Sequence, residues 1–334
     1  MKAIQFEQFG QPSEVLHLSE VPIPEPGPGQ VRVRMIASPI NPSDLLTVQG
    51  RYGVLPKLPA TPGYEGVGVV DKAGPGLVGR FLVGRRVAVL NSDGGNWGEY
   101  VSVQAIRAIP VSSDLPDAQV ASFFVNPATV LAMARHVLKV PKGEWLLQSA
   151  AGSTLGRMMI KLGKHDGFKT LNIVRRREAM DELKSLGADA VICSEDGPID
   201  EQVRRIVGGD GVSYAIDPVG GETGTGVFNA LANGGRMLVY GTLEEAPIRV
   251  DPRKMIAGKR VVEGFYLGHW AADRSKIKML LLFRELAALI RSGVLATDLG
   301  REYPLEAIKD AVRDAETVGR RGKVLLRIGA SRGA

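Results

Sequence analysis

The chain has 334 residues, a net charge of +6 and a single cysteine. This length suits two domains and a large core, and 44% hydrophobic with 23% charged residues is ordinary for a globular protein. One cysteine excludes an intramolecular disulfide and a multi-cysteine zinc site; no apolar run is long enough to span a membrane; the positive charge is not gathered into an arm or stripe that would grip nucleic acid. The surplus instead suits phosphate-bearing ligands or an acidic carrier protein. Nothing resembles a signal or transit peptide, so a cytoplasmic protein without membrane or nucleic-acid partners is expected.

The first 117 residues read as β-rich. Met1-Lys2-Ala3-Ile4-Gln5-Phe6 alternates from the start, and Val31–Ile36 and Arg86–Val89 are short alternating runs broken by Gly and Pro. From about Asp117 to Tyr266 the rhythm changes. Strands are expected at Trp145–Ser149, Thr170–Val174, Ala190–Ile192, Val212–Ile216 and Met237–Tyr240. Helices are expected between them near Leu155–His165, Glu178–Leu186, Ile199–Val207 and Glu222–Leu231. That alternation predicts a doubly wound parallel sheet. Cys193 follows Ala190-Val191-Ile192 and reads as structural. Lys276–Ser292 is an amphipathic helix candidate and Gly322–Ile328 a closing strand that returns to the first domain.

The first strand of the alternating region runs into Ser149-Ala150-Ala151-Gly152-Ser153-Thr154-Leu155-Gly156. Against the G-x-G-x-x-G fingerprint only the last glycine survives. The strand-turn-helix context still allows the backbone to approach a pyrophosphate at a helix N-terminus. At the end of the second strand, where an NAD-specific fold places an acidic residue, stand Arg175, Arg176 and Arg177. Guanidinium groups there bind a 2′-phosphate, which makes NADPH the expected cofactor.

Several segments carry a closer resemblance: Ile40-Asn41-Pro42-Ser43-Asp44, Gln49-Gly50-Arg51-Tyr52-Gly53, Val125-Asn126-Pro127-Ala128-Thr129, Leu183–Ala188 and Gly264–Trp270. Over nearly its whole length the chain resembles the 2-enoyl thioester reductases of the mitochondrial trans-2-enoyl-CoA type, in the zinc-free part of the medium-chain dehydrogenase/reductase superfamily. Zinc-dependent members have an early cysteine and a Gly-His-Glu sequence; here the matching places read Ile40–Asp44 and Gly63-Tyr64-Glu65. His17, His136, His165 and His269 show no ligand-like spacing, so no metal site is expected. Without a Lewis acid, reduction of a conjugated C=C bond is favoured over alcohol oxidation.

The resemblance implies an α/β chain with a GroES-like β-rich catalytic domain over 1–117 and 270–334 and a Rossmann NADPH-binding domain over 118–269. It matches the family's catalytic tyrosine to Tyr52, as donor or positioner of the α-carbon proton; a phenol with a pKa of about 10 stays protonated at neutral pH. It places Asn126 and Thr129 beside the nicotinamide, Gly152, Ser153, Thr154 and Leu155 along the phosphates, and Arg175 to Arg177 on the adenosine phosphate. Tyr240, Gly241, Thr242 and Leu243, with Phe265, Tyr266, Leu267 and Gly268, flank the nicotinamide, and Lys323 is a further cofactor contact. The family commonly has tryptophan at Tyr266 and aspartate at Arg176. The implied substrate is an acyl thioester on CoA or acyl-carrier protein, and the implied assembly is a homodimer joined along the edge of the nucleotide-binding sheet. Two further readings are a quinone oxidoreductase on the same fold and a non-enzymatic lens or RNA-binding relative.

Overall fold

The computed structural model describes residues 1–53 and 55–330. The chain divides into two units, one of residues 1–125 with 296–334 and one of residues 126–295.

The first unit is built on antiparallel pairing. The long strand Gln30–Pro39 is its hub. Its first half pairs with Tyr100–Gln104, its last residues pair with the closing strand Lys323–Arg327, and Glu65–Ala73 lies along its other side. Alternation decides what faces inward: Val31, Val33 and Met35 are fully buried with Val87, Val89, Val101 and Val103. A second cluster joins Ile4, Phe6, Leu45, Val48, Trp97, Val324 and Leu326, so the N-terminal residues, the helix Pro42–Val48 and the closing strand share one core.

The second unit carries a six-stranded parallel sheet. Its strands in chain order are Trp145–Gln148, Lys169–Val174, Ala190–Cys193, Val212–Asp217, Leu231–Val239 and Val261–Gly264. Counted in that order, they lie 3-2-1-4-5-6 across the sheet. This is the doubly wound arrangement, with its switch point between the first and fourth strands. Thr154–Asp166, Met180–Leu186, Ile199–Val207, Gly221–Asn229 and Pro252–Gly258 are the crossover helices. Ile199–Val207 has the expected ends.

The departures from expectation have physical causes. Leu231–Val239 begins six residues early and runs through Asn233-Gly234-Gly235, because its register against Val212–Asp217 shifts there and absorbs the glycines. Val261–Gly264 is a sixth strand that the sequence does not announce: four residues at a sheet edge, with only partial burial to support a hydrophobic pattern. The unit boundaries also differ from 118–269. The helix Lys276–Arg291 buries Leu282, Leu286, Leu289 and Ile290 and offers Glu285 to Arg135, so it belongs with the second unit; the chain returns to the first only at Ala296.

One glycine fixes the approach to the site. Gly63 has φ +103°, and a Cβ there would lie 2.5 Å from Trp97 Cδ1. The Trp97 ring is fully buried and its Nε1 donates to the Pro39 carbonyl at 3.3 Å, so it cannot retreat. We expect Gly63→Ala to cost about 3 kcal/mol through combined backbone strain and overpacking. Chemical denaturation checks this, and a loss below about 1 kcal/mol would mean that the loop accommodates a side chain.

Candidate active site

The segment carrying Tyr52 is set by the helix before it. Pro42 occupies the first turn of Pro42–Val48, where its missing N–H costs nothing, and the Asn41 N–H donates to Asp44 Oδ2 at 2.7 Å. Gly50, at φ +73°, stops the helix and turns the chain. Tyr52 follows, half-buried, its ring 5.9 Å from that of Tyr64 at a 47° tilt. Tyr64 in turn lines a cavity of about 410 Å³ together with Asp44, Thr47, Leu55, Pro56 and Asp93.

Behind that cavity lies a buried polar network. Lys323 Nζ donates to Asn41 Oδ1 at 2.8 Å, and Asn41 Nδ2 donates to Glu65 Oε1 at 3.0 Å. Glu65 Oε2 accepts the N–H groups of Phe124 and Val125 at 3.0 and 2.9 Å. Asp44 Oδ1 accepts the Tyr64 N–H at 3.0 Å. Asn41, Asp44, Glu65 and Lys323 are each at most 2% exposed. Desolvation therefore pushes the Asp44 carboxyl up to about 7, raises Glu65, and lowers the Lys323 ammonium to about 8. Lys323, expected to touch a cofactor, is buried and donates to Asn41. Among the described residues, no group of three or more His, Cys, Asp or Glu is arranged to hold a metal.

In the second unit most of the candidate cofactor residues follow the carboxyl ends of the parallel strands, while Asn126 and Thr129 lie on the helix Val125–Leu131. Ser153 caps the helix Thr154–Asp166, its Oγ accepting the Gly156 N–H at 3.1 Å. A Cβ on Gly156 would lie 2.6 Å from the Ala151 carbonyl oxygen, so that position demands glycine for the helix to close on the turn. Gly152 is exposed with open space where a Cβ would sit, and Ser153 is exposed beside it, whereas Leu155 is buried and packs inward. These features fit a pyrophosphate laid against backbone.

Arg175, Arg176 and Arg177 are exposed beyond Lys169–Val174. Arg177 is already engaged, its Nη2 2.6 Å from Asp196 Oδ1. Arg175 and Arg176 have no carboxylate partner among the described residues.

The other expected positions fall as follows. Tyr240 to Leu243 follow the fifth strand; the Tyr240 N–H donates to the Asp217 carbonyl at 3.0 Å, and burial raises its phenol well above the usual range. Gly241 is half-buried, and Thr242 and Leu243 are exposed. Phe265 donates its N–H to the Val239 carbonyl at 2.8 Å, and Leu267 and Gly268 open the helix Leu267–Ala272. Tyr266 is exposed and meets His269 edge-on at 4.9 Å. Gly268 leaves room for that ring, since a Cβ there would lie 2.7 Å from Tyr266 Cε1. Asn126 lies in the first turn of Val125–Leu131, half-buried, with Thr129 buried one turn on.

Sequence reasoning passed over Asp217. This buried carboxylate at the switch point accepts from the Ser149 hydroxyl and from the N–H groups of Val219 (3.2 Å) and Gly220 (2.8 Å). It also passed over Asp44, Glu65 and Tyr64 as site groups. The signal available for Asp217 was a carboxylate closing an apolar strand, Val212–Asp217, just before Pro218 and two glycines.

Residues 27–113 match the family described as the alcohol dehydrogenase GroES-like domain, and residues 154–283 match that described as zinc-binding dehydrogenase. The chain is 32% identical over 323 residues to the mitochondrial enoyl-acyl-carrier-protein reductase of Xenopus tropicalis, covering 95% of this chain and 92% of that protein. It is 32% identical over 316 residues to the Homo sapiens protein of the same name, covering 93% and 84%. Among solved structures, the Escherichia coli quinone oxidoreductase complexed with NADPH superposes with a TM-score of 0.90 at 26% identity, covering 98% of this chain and 100% of that one. A quinone oxidoreductase of Pseudomonas syringae gives 0.88 at 26% identity, covering 98% and 99%. With a GroES-like unit, a doubly wound unit and relatives at this level over nearly its full length, the chain belongs to the mitochondrial enoyl-acyl-carrier-protein reductase family of the medium-chain dehydrogenase/reductase superfamily.

Proposed function

We propose that this chain is an NADPH-dependent oxidoreductase that reduces the conjugated C=C bond of trans-2-enoyl thioesters carried on CoA or acyl-carrier protein. One observation carries the reading: a phenol, Tyr52, is held on the turn after a capped helix, packed against the wall of a cavity of about 410 Å³. The family resemblance matches that residue to the proton donor.

Gly152, Ser153 and Thr154 would hold the pyrophosphate, Arg175 and Arg176 the 2′-phosphate, and Asn126, Thr129, Tyr240 to Leu243 and Phe265 to Gly268 the nicotinamide end. NADPH bound there supplies a hydride for the substrate β-carbon. Negative charge then builds on the substrate's thioester oxygen and α-carbon, and the Tyr52 hydroxyl delivers the proton to that carbon. A conjugated thioester is its own electron sink, so the protein need not provide a Lewis acid. A homodimer joined along an edge of the six-stranded sheet, and a cytoplasmic location, belong to the same proposal. No helix among the described residues is long and apolar enough to cross a membrane.

A second reading, reduction of quinones, is favoured by the likeness to the two quinone oxidoreductases. Following NADPH oxidation with a short trans-2-enoyl-CoA and with a simple quinone separates them. We expect Tyr52→Phe to lower kcat on the enoyl thioester by about 100-fold, the usual scale for a lost general acid. Quinone turnover alone, unchanged by Tyr52→Phe, would overturn the thioester reading.

Replacing Arg175 and Arg176 together by Ala should raise KM for NADPH by about 10- to 100-fold, as expected for charge-assisted bonds lost, with KM for NADH little changed. Equal effects on both cofactors would show that these arginines do not read the 2′-phosphate.

The buried network makes stability depend on pH in two opposite senses. Folded Asp44 titrates near 7 against 3.8 in the open, so the folded chain holds the extra proton, and its stability falls as pH rises between those values. Folded Lys323 titrates near 8 against 10.5, so the unfolded chain holds the extra proton there, and stability rises from about 8 to 10.5. Denaturation at pH 5 and pH 7.5 should show Asp44→Asn losing less stability over that interval than wild type; parallel losses would refute the assignment.

A further inference from the structure

Tyr64 stands where zinc-dependent relatives carry an imidazole, and it is held at both ends by one helix. Its N–H donates to Asp44 Oδ1 at 3.0 Å, and its hydroxyl lies 2.5 Å from Thr47 Oγ1. Thr47 has a single hydroxyl hydrogen, and that goes to the Ser43 carbonyl at 2.9 Å, an atom that can only accept. The Tyr64 hydroxyl is therefore the donor to Thr47. The bonds run from Tyr64 to Thr47 to Ser43 and end on the backbone of Pro42–Val48. A phenol committed in this way is a poor competitor for the role of acid, and what it presents to Tyr52 is a fixed ring.

Tyr52 itself lies between Gly50 at φ +73° and Gly53 at φ +38°, outside any helix or strand. No helix or strand holds it, and the Tyr64 ring packs against its own. We propose that Tyr64 is a positioning residue for the Tyr52 phenol: Asp44 and Thr47 clamp the Tyr64 ring, and that ring, 5.9 Å from the Tyr52 ring, fixes where the acid sits beside the cavity. The inference rests on the reading of Tyr52 as proton donor and adds a residue to that site. The clamp matters because a donor displaced by about 1 Å can lose up to about 100-fold in rate.

The test is steady-state kinetics with a short trans-2-enoyl-CoA and NADPH on Thr47→Val, Thr47→Ser and Tyr64→Phe, each alone and combined with Tyr52→Phe. Thr47→Val keeps the shape of the side chain and removes the acceptor; Tyr64→Phe keeps the ring and removes the donor. We expect each to lower kcat by about tenfold, consistent with a misplaced donor. KM for NADPH should stay unchanged, and Thr47→Ser should restore kcat to within about twofold of wild type. In the Tyr52→Phe background neither change should cost anything further, since there is no acid left to place. Should Tyr52→Phe be impaired while Thr47→Val and Tyr64→Phe turn over like wild type, the positioning role alone falls. Losses that simply multiply with that of Tyr52→Phe would also overturn it. If Tyr52→Phe is as active as wild type, the proton-donor reading falls and the inference falls with it. Tyr64→Phe keeps the test decisive if Thr47→Val fails to fold.

Discussion

A buried ammonium and two buried carboxylates meet around one asparagine, and the architecture of the first unit depends on that meeting. Taking a charge out of water costs several kcal/mol unless partners replace the water. Here Asn41 replaces it in both directions, accepting from Lys323 and donating to Glu65. Those two bonds leave the amide only one sensible orientation. The remaining capacity goes to backbone: Glu65 takes the N–H groups that open Val125–Leu131, and Asp44 takes those of Asn41 and Tyr64. Each charge thus pins a different piece of chain. Removing any one of them would leave a buried amide or backbone N–H group without its partner, which costs the full desolvation of that group.

The second unit solves a similar problem at the carboxyl ends of its strands. Asp217 closes the fourth strand with a buried carboxylate whose oxygens are taken by Ser149, Val219 and Gly220. Ser149 immediately follows the first strand, so this contact ties together the two strands between which the order reverses. The crevice of a doubly wound sheet opens there, and the exposed Gly152 and Ser153 lie just beyond it.

What the sequence revealed was periodic or local. The βαβ rhythm, the ends of Ile199–Val207 and the arginines after Lys169–Val174 all express themselves within a few residues of chain. The edge strand Val261–Gly264 did not, because a short, half-buried strand has little pattern. Nor did the buried network, whose bonded groups are 24 and 282 residues apart and polar, a combination that reads as solvated surface in any window. Lys323 is the instructive case: its place in a closing strand was legible, but its bond to Asn41, near the other end of the chain, was not. Tyr52 was singled out by family resemblance alone, since a tyrosine between glycines has no signature of its own.

The interrupted layout of the first unit imposes an order of assembly. Lys323 leaves the ribosome 282 residues after Asn41, with the whole of residues 126–295 synthesised in between. Domains tend to fold as units during synthesis, and the intervening segment is contiguous, so it can close while Asn41, Asp44 and Glu65 still await their cation. The strand Lys323–Arg327 then adds to Gln30–Pro39 and brings its ammonium to Asn41 in the same movement. The core of the first unit is therefore assembled from two stretches of chain that synthesis keeps far apart, and its buried network takes its present form only when the second stretch arrives.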